Sequence, residues 1–445
     1  MNPYAGRNAP LLKAKRSERR LGIAPGFPPL GKGLGGHPRD KRLDQDSPDM
    51  ILIVDTSLPG ASQTATLPLA GTVNCTVDWG DNVQEAFTTT GNKTHAYAAV
   101  GEYTIRISGT LTTFGGDVAR PEYKRLVAPG RRPFRTSWGS GFRNCANMTD
   151  GFPTRMVDAN VTSIAVIFRD ATNANPDTSK WNTSNCTSLQ DVFRNSKANP
   201  NVSNWDTSKL TGSANSTFSG ASLANPDVAN WNMANCNNLT NMFFNAIVCN
   251  PDVSRWNTAN ATTMNGAFQG ATRANPDLSR WALNTGLTTM ASMLNSSGIS
   301  TLNYSRALVR FANQVYLNNG PYNVPLGAAP AKYHATVHAD ITGQFDNAPA
   351  ARAFLAGAFT VTVSGASNAD GNGAYTGATL TNAAGWTLTF LTDTWTLKDA
   401  GATAQASGTG NSRSPASVTT WTGTESGITV AQTGAGWTVT DGGAE

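Results

Sequence analysis

The chain has 445 residues, a formal net charge of +5 and only 14 % charged residues, against about 25 % in an average soluble protein. Its polarity comes instead from Asn, Thr and Ser, a composition typical of turn-rich β structure, which argues against helix bundles and coiled coils. At about 150 residues per domain, the length indicates roughly three domains. We therefore expect a mainly β fold with short helices.

An N-terminal arm, residues 1–47, accounts for the positive charge. Residues 1–42 hold ten Lys and Arg and two acidic residues, a local net charge of +8 that leaves −3 for the rest of the chain. Gly and Pro recur along the arm, and its few apolar residues cannot bury enough surface to order it in isolation. We predict an extended segment that becomes ordered on a partner. Its central cations are Lys13, Lys15, Arg16, Arg19 and Arg20.

Three roles are open for this arm: docking on an acidic protein surface, binding nucleic acid through its phosphates, or remaining a solvated tail. The body offers no basic face and no recognisable nucleic-acid-binding motif, so we expect docking on protein. No apolar run follows the basic N-terminus, and no stretch approaches the roughly 18 apolar residues of a transmembrane helix. The sequence therefore predicts neither a secretory signal nor a membrane span.

Residues 48–115 are predicted to form a small β-sandwich. Apolar residues occupy every second position over 73–79 and again over 103–107, which is the pattern of half-buried strands. Between them lie the segments Val77-Asp78-Trp79-Gly80-Asp81, His95-Ala96-Tyr97 and Gly101-Glu102-Tyr103-Thr104-Ile105. These segments resemble the polycystic-kidney-disease (PKD) domain, which implies an immunoglobulin-like spacer or binding module.

The residues that match the PKD motif are Asp78, Trp79, Gly80, Asp81, His95, Tyr97, Gly101 and Tyr103. Asn82 replaces the usual final glycine of the turn, and asparagine also tolerates a positive φ. We expect His95 to be a packing residue of the sandwich.

A repeat of about 25 residues fills the centre of the chain. Phenylalanine recurs every 25 residues and tryptophan every 24–26, each tryptophan six residues after an Asn-Pro pair. The columns are Phe168, Phe193, Phe218, Phe243 and Phe268, and Trp181, Trp205, Trp231, Trp256 and Trp281. This fixed period predicts a solenoid whose aromatic columns form buried ladders. Proline favours an extended conformation in the residue before it, so each coil turns a corner there. Phe142 and Leu294 continue the Phe column as degenerate terminal coils.

The repeat unit reads F-x(5–6)-NP-D-V-S-x-W-N-T-S-N-x-T-x-M/L. It resembles the leucine-rich repeats of the BspA-like (bacterial surface protein A type) family, whose unit is typically FNxDISxWDTSNVTxMxxMF. With the PKD-like segment, the resemblance covers residues 50–360. It implies a surface protein and an LRR-like solenoid over residues 116–300, including an N-terminal cap. Asn-Pro stands where the family has Phe-Asn, so we expect different packing at that corner.

The remainder of the chain is predicted to form two further units. Residues 301–360 suit a C-terminal cap of the solenoid, with short amphipathic helices around 308–311 and 350–355. Residues 361–445 alternate like strands between Gly, Asn and Thr turns, which predicts a small β-rich C-terminal module. Within it, residues 363–366 and 372–376 resemble a β-module common near the C-termini of phage and marine-virus proteins.

The chain contains acidic residues and histidines that could take part in catalysis or bind a cofactor, but no sequence motif assigns them to either role. An acidic column follows the Asn-Pro pairs at Asp177, Asp227, Asp252 and Asp277, with Asn201 in the second unit. These side chains could bind calcium between coils, but we expect them to bond backbone amides of turns. The Trp column could stack on carbohydrate, but its constant phase with the Phe column favours core packing. His334 and His338 lack a surrounding metal motif, so we predict no metal site and no catalytic residue.

Cysteine spacing indicates neither a zinc site nor a disulfide framework. The five cysteines are Cys75, Cys145, Cys186, Cys236 and Cys249. We predict that they are buried and reduced.

These features predict a non-enzymatic surface protein of a tailed-phage virion, displayed as a tail fibre, spike or other attachment appendage. The missing secretory signal favours a virion over a cell surface, because a virion leaves its host by lysis. Three alternatives stay open: a head decoration protein that stabilises the capsid, a cellular adhesin with a non-classical export route, and a depolymerase using solenoid carboxylates. The expected partners are capsid or tail subunits, a host surface glycan or protein, and further copies of the chain, although no heptad repeat sets their number.

Overall fold

A computed structural model shows the fold of most of the chain from residue 47 onward. It describes residues 47–130, 135–149, 151–318, 320–335, 343–357 and 434–444, and the backbone of seven short strands between residues 361 and 432. The predicted arm up to residue 46, with its five central cations, lies outside the described residues. The described part is mainly β with two helices, as the composition predicted.

An antiparallel six-stranded sheet comes first. Its strands are β1 (Met50–Asp55), β2 (Thr64–Asp78), β3 (Gln84–Phe87), β4 (Gly91–Ala96), β5 (Glu102–Phe114) and β6 (Tyr123–Pro129). They lie in the order β3-β2-β5-β1-β6, and β4 also pairs with β2. Val73, Cys75 and Val77 of β2 are buried and alternate with exposed residues, as the period of two predicted.

This sheet differs in two ways from the sandwich predicted over residues 48–115. Hydrogen bonds join all six strands into one sheet, because the long β2 pairs with β4 over its first half and with β3 over its second half. The sheet also extends to Pro129, because β6 pairs with β1. With β5 on its other edge, β1 buries all six of its residues, which explains its continuous apolar run.

Residues 137–300 form successive coils, and we call this region the repeat stack. The backbone amide of each Phe in the column donates to a carbonyl of the next coil, with N···O distances of 2.8–3.0 Å. Neighbouring amides close turns within their own coil, as the Ile167 amide does on the carbonyl of Ile164. Each coil is therefore hydrogen-bonded internally and to its successor.

Left-handed residues shape the part of each coil around the column Phe. Asp191 and Asn195, which flank Phe193 by two positions on each side, have φ values of +54° and +56°. Asn241 and Asn245 flank Phe243 in the same way, with φ values of +54° and +52°. Asn and Asp tolerate this conformation better than other residues with a side chain, so they can replace glycine here.

Parallel bridges join the repeat stack to the elements at its two ends. Thr113, near the end of β5, bridges to Ser137 at the start of the stack. In the last coil, Met290 bridges to Leu326 of the following segment. The sheet and the stack therefore share one hydrogen-bonded backbone network.

A C-terminal cap follows the stack. Its elements are α1 (Thr301–Asn318), β7 (Pro325–Gly327) and α2 (Ala348–Ala356). Both helices lie where the amphipathic patterns predicted them, and α1 buries Leu308 and Phe311. The Asn347 side chain caps α2 by accepting a hydrogen bond from the Ala350 amide, 2.8 Å long. No helix in the described part of the chain is both long and apolar enough to cross a bilayer.

Eight further strands complete the described structure. They are β8 (Val361–Ser364), β9 (Thr379–Asn382), β10 (Thr387–Leu391), β11 (Thr394–Lys398), β12 (Ala404–Thr409), β13 (Trp421–Thr422), β14 (Thr429–Gln432) and β15 (Thr438–Thr440). Strands β9 to β13 form a five-stranded sheet in the order β12-β11-β10-β9-β13, and β8 pairs with β14.

The last strand belongs to the cap, which differs from the predicted module of residues 361–445. β15 pairs in parallel with β7. Trp437 packs on Phe311 of α1, with ring centroids 6.2 Å apart. Residues 434–444 therefore belong to the cap, because β15 pairs with β7 and Trp437 packs on α1, and both of these elements are part of the cap.

Candidate functional site

The Phe column forms a continuous ladder inside the repeat stack. All five rings are at most 1 % exposed, and consecutive rings stack with centroids 5.4–6.0 Å apart. Phe142 stacks on Phe168 at 5.9 Å and extends the ladder by one coil. Leu294 is likewise buried at the other end. Such offset stacks add about 0.5–1.5 kcal/mol per pair beyond the area they bury.

The Trp column runs beside the Phe ladder and is also buried. Its five indoles are at most 3 % exposed. Trp205 stacks on Trp181 at 5.8 Å and on Trp231 at 5.9 Å between centroids. The indole N–H of Trp231 donates to the carbonyl of Val202 in the preceding coil, 3.2 Å away. These rings pack in the core, and the alternative of a carbohydrate-stacking stripe is therefore wrong.

An asparagine ladder, which the sequence patterns did not predict, lies on the surface of the stack. The side chain of Asn175 accepts a hydrogen bond from the backbone amide of Asn199, its counterpart in the next coil, at 3.0 Å. The same bond recurs at 2.9 Å in the next three steps of the Asn-Pro column, and the last asparagine accepts from Ser300 at 2.8 Å. The Asn-Pro pair therefore has two roles. The proline sets the corner of the coil, and the asparagine side chain accepts a hydrogen bond from the next coil.

The acidic column caps turns, as expected. The Asp252 carboxylate accepts hydrogen bonds from the Ser254 amide at 3.0 Å and from the Ser254 hydroxyl at 2.7 Å, which lowers the pKa of Asp252. Asp177, Asp227 and Asp277 accept from the amide two residues later in the same way. Asn201 does so as well, which explains why asparagine can replace aspartate in the second unit.

The described residues include no group of three or more His, Cys, Asp and Glu side chains arranged to hold a metal ion. His334 is half-buried in the cap, and its backbone amide donates to the Ser305 hydroxyl at 2.9 Å. His338 lies outside the described residues.

One cluster of charges crosses two coils near the start of the stack. Asp191 is nearly buried, with 5 % of its side chain exposed, and its carboxylate lies 3.2 Å from Nη1 of Arg169 and 3.6 Å from Nη1 of Arg194. Arg169 also contacts Asp170 at 3.3 Å. The Arg169–Asp191 pair joins adjacent coils, whereas the other two contacts lie within one coil. The sequence signal for this cluster is the presence of arginine at equivalent positions of two adjacent units, Arg169 and Arg194.

The PKD-like residues come together as an aromatic cluster on the sheet. Trp79 is fully buried, and the His95 ring stacks on it at 4.9 Å between centroids. Tyr97 meets His95 edge-on and stacks on Tyr103 at 3.7 Å. His95 Nε2 lies 2.8 Å from a carboxylate oxygen of Asp81. His95 thus has packing partners on the sheet.

The turn of the PKD-like motif depends on positive φ angles. Gly80 has φ +87°, and a Cβ at this position would lie 2.7 Å from the Thr104 carbonyl oxygen. Asn82 has φ +73°, a conformation that asparagine tolerates. The Asp78 carboxylate accepts from the Gly80 amide at 3.0 Å. Gly101, the remaining motif residue, donates from its amide to the Thr56 hydroxyl at 3.0 Å.

Two buried arginines contact both the sheet and the first coil of the stack. Arg120 is fully buried, and its Nη2 lies 3.4 Å from the carbonyl oxygen of Ser140, which belongs to the first coil. The guanidinium of Arg135 lies 4.4 Å from the Trp138 ring centroid, and its Nη2 lies 3.4 Å from the carbonyl oxygen of Pro129 in β6. Burial lowers the pKa of Arg135 to about 9. These contacts tie the sheet to the first coil.

All five cysteines are buried and outside any disulfide. Burial raises the pKa of both Cys145 and Cys186 to about 12. It also raises the pKa of Cys75, Cys236 and Cys249. These thiols stay protonated at neutral pH and serve as small core residues, as predicted.

This geometry defines a repeat protein whose coils are held by aromatic and asparagine ladders. Its repeat region matches the family model described as "Mycoplasma protein of unknown function, DUF285", in two overlapping stretches, residues 137–246 and 193–306. The matched region is less than half of the chain. It supports the resemblance of these repeats to BspA-like surface proteins. Comparison with curated proteins and with solved structures gives no match.

Proposed function

We propose that this chain is a non-enzymatic virion surface protein of a phage, anchored by residues 1–47 and displaying its body as a tail fibre, spike or other attachment appendage. The observation that supports the proposal best is that the side chains of each repeat column have a structural role. Phenylalanines and tryptophans fill the core, asparagines bond the next coil, and the acidic column caps turns. The column carboxylates on which a catalytic solenoid would depend thus already bond backbone amides of their own turns.

In this proposal the LRR-like solenoid is a spacer. Chains joined by strand-like hydrogen bonds lie about 4.8 Å apart, so the four steps from Phe168 to Phe268 span about 20 Å. Arg120 and Arg135 fasten the PKD-like sheet to the first coil, so sheet and stack extend the spacer together. A rigid spacer of this kind suits the display of a binding surface at a distance from an anchor.

The anchor in this proposal is the basic arm. Its local charge of +8 contrasts with −3 over the rest of the chain, so an acidic partner surface would attract the arm and leave the body free. Ordering so polar a segment requires a partner that supplies most of the buried surface. A capsid or tail subunit with an acidic groove meets both requirements.

The test of the anchor is incorporation into purified phage particles, measured by quantitative mass spectrometry. Deleting residues 1–42, or replacing Lys13, Lys15, Arg16, Arg19 and Arg20 with glutamate, should remove the protein from particles while the body folds normally by circular dichroism. A matched control exchanges Lys and Arg at the same five positions and should incorporate like the parent chain. Full incorporation of the deletion variant would refute the anchoring role.

Labelling the protein in intact particles decides between the alternatives. Density on the tail supports the attachment appendage, whereas density over the head supports a decoration protein. Recovery on the surface of producing cells, with none in particles, would replace the virion proposal with a cellular adhesin.

A further inference from the structure

Positive charge is concentrated at the end of the repeat stack. Residues 253–318, which include the last coils of the stack and α1, contain five arginines and a single acidic residue, a net charge of +4. The rest of residues 43–445 then has a net charge of −7. The sequence patterns indicated no basic face on the body, because the charge of the body as a whole conceals this segregation. Three of the five arginines, Arg255, Arg280 and Arg310, are neighbours in the fold, and we call them the arginine row.

Two members of the arginine row lie side by side on successive coils. Arg255 and Arg280 each precede a tryptophan of the Trp column. These tryptophans, Trp256 and Trp281, stack with ring centroids 6.2 Å apart. Both arginine side chains are exposed. Because hydrogen-bonded neighbouring chains lie about 4.8 Å apart, the two guanidinium groups can reach the same ligand.

The third arginine is held next to them by a backbone contact. Arg310 lies on α1, and its Nε donates to the carbonyl of Trp281 at 3.1 Å. Gln314, one turn later on α1, donates to the same carbonyl at 2.6 Å. Within the described part of the chain, Nη1 and Nη2 of Arg310 have no hydrogen-bond partner. The anchored Nε therefore positions two donors for a ligand and reduces the freedom that the side chain would lose on binding.

The arginine row also lacks the carboxylate partners that other arginines have. Arg169 lies 3.2 Å from Asp191, and Arg352 lies 2.8 Å from Asp441. Among the described residues, no carboxylate oxygen lies within 4.0 Å of a guanidinium nitrogen of the row. Like charges at this separation repel each other. An anion bound between the arginines would replace this repulsion with attraction.

We propose that the arginine row binds an acidic polysaccharide of the host surface, a ligand class that rests on the proposed function. A guanidinium group binds a carboxylate through two parallel hydrogen bonds. One step between coils is close to the length of one sugar in an extended chain, so consecutive uronic acids can each face one arginine.

Nucleic acid fits the arginine row less well. Asp252 and Asp277 precede Arg255 and Arg280 by three residues and keep their carboxylates on the amides of nearby serines. They limit the positive charge of this surface, whereas duplex DNA carries one negative charge per about 1.7 Å and needs a larger basic face. A polysaccharide with one carboxylate per sugar has a lower charge density that three arginines can match.

Binding of the full chain to immobilised polygalacturonate, measured by biolayer interferometry, tests the inference. Because the basic arm also attracts polyanions, every protein is measured with glutamate at the five central arm cations. The test variant is Arg255→Gln with Arg280→Gln. The matched control, Arg155→Gln with Lys180→Gln, removes the same charge from exposed positions near the other end of the stack, and Lys180 has the same place in its coil as Arg255. A third variant, Arg255→Lys with Arg280→Lys, keeps the charge and loses the planar fork.

We expect the test variant to lose about tenfold or more in affinity for polygalacturonate and the matched control to change less than about twofold, with unchanged thermal unfolding of both. The lysine variant should fall between them. Equal affinity of the test variant and the parent, or no binding by the parent, would overturn the inference. Tighter binding of a short DNA duplex, lost in the test variant, would replace the polysaccharide with nucleic acid. Incorporation into phage particles does not depend on the arginine row, so a chain that incorporates but binds no polygalacturonate would overturn this inference alone, whereas absence of the parent chain from particles would count against the proposed function.

Discussion

Replacing Phe218 with alanine tests the packing of the stack where it is most regular. This ring lies in the middle of the ladder, is fully buried, and stacks on Phe193 at 5.7 Å and on Phe243 at 5.6 Å. Its ring centroid also lies 6.1 Å from that of Trp231. Truncating a buried phenylalanine costs about 3–5 kcal/mol through lost burial and the cavity left behind. Because neighbours on three sides lose a partner, we expect a loss of about 4 kcal/mol.

The loss is measured as the change in unfolding free energy in urea, followed by tryptophan fluorescence. Leu223→Ala is the matched control, because Leu223 follows five residues later in the same coil and is 53 % exposed. It should change the free energy by less than about 0.5 kcal/mol. Phe218→Leu should fall between the two, since it keeps part of the volume and loses the stacking. A loss below about 1 kcal/mol for Phe218→Ala would contradict the ladder.

Three further predictions concern other parts of the account. Asn225→Ala removes the acceptor for the next coil and should cost about 1 kcal/mol in urea unfolding, with faster hydrogen exchange at the Asn250 amide; Asn225→Gln, with a longer side chain, should not restore the bond. Asp441→Ala removes the acceptor of Tyr304 and the partner of Arg352, whose side chain is 28 % exposed, and should cost about 2 kcal/mol, measured by thermal unfolding, while an unchanged midpoint would argue against residues 434–444 as part of the core of the cap. Cys145 and Cys186, with pKa values raised to about 12 by burial, should make stability fall as the pH rises. The sign follows because only the unfolded thiols ionise above about pH 8.5, so stability is complete below that pH and declines towards pH 12. The urea midpoint measured from pH 7 to pH 10.5 checks it, and replacing both cysteines with alanine should make the decline less steep without removing it, because the pKa values of Cys75, Cys236 and Cys249 are also raised by burial.

The aromatic columns could be placed from the sequence because each is a single residue type at a constant interval. The constant interval places Phe193 and Phe218 at the same position of successive coils. When the coils stack, these large apolar rings lie on top of each other, and such a position is expected to be buried. The turn role of the Asp252 column could be predicted for a similar reason. An aspartate bonds an amide two residues ahead, so its partner is local in the sequence.

The asparagine ladder and the left-handed residues were harder to predict. The Asn175 side chain bonds the next coil, so its role depends on a register between coils that the local sequence does not state. The proline that follows accounts for the extended backbone of the asparagine, so nothing in the local sequence indicates that the asparagine side chain has a second role. Glycine marks the left-handed positions only at Gly220, Gly266 and Gly270, whereas the other coils carry Asp191, Asn195 and other residues with side chains there.

The domain boundaries were missed because they depend on pairing between distant segments. β6 joins the sheet by pairing with β1, about 70 residues earlier in the sequence. β15 joins the cap by pairing with β7, more than 100 residues earlier. Neither strand carries a motif, and local periodicity gives no information about the partner of a strand.

The repeats between Phe168 and Leu294 form consecutive coils of one hydrogen-bonded stack, and the spacer role depends on this arrangement. Hydrogen–deuterium exchange of the full chain under native conditions, read by mass spectrometry at residue level, tests it most directly. We predict protection at the amides of all five column phenylalanines and at Asn199, Asn225, Asn250 and Asn275, each of which donates to an adjacent coil. Protected islands separated by rapidly exchanging column positions would contradict it.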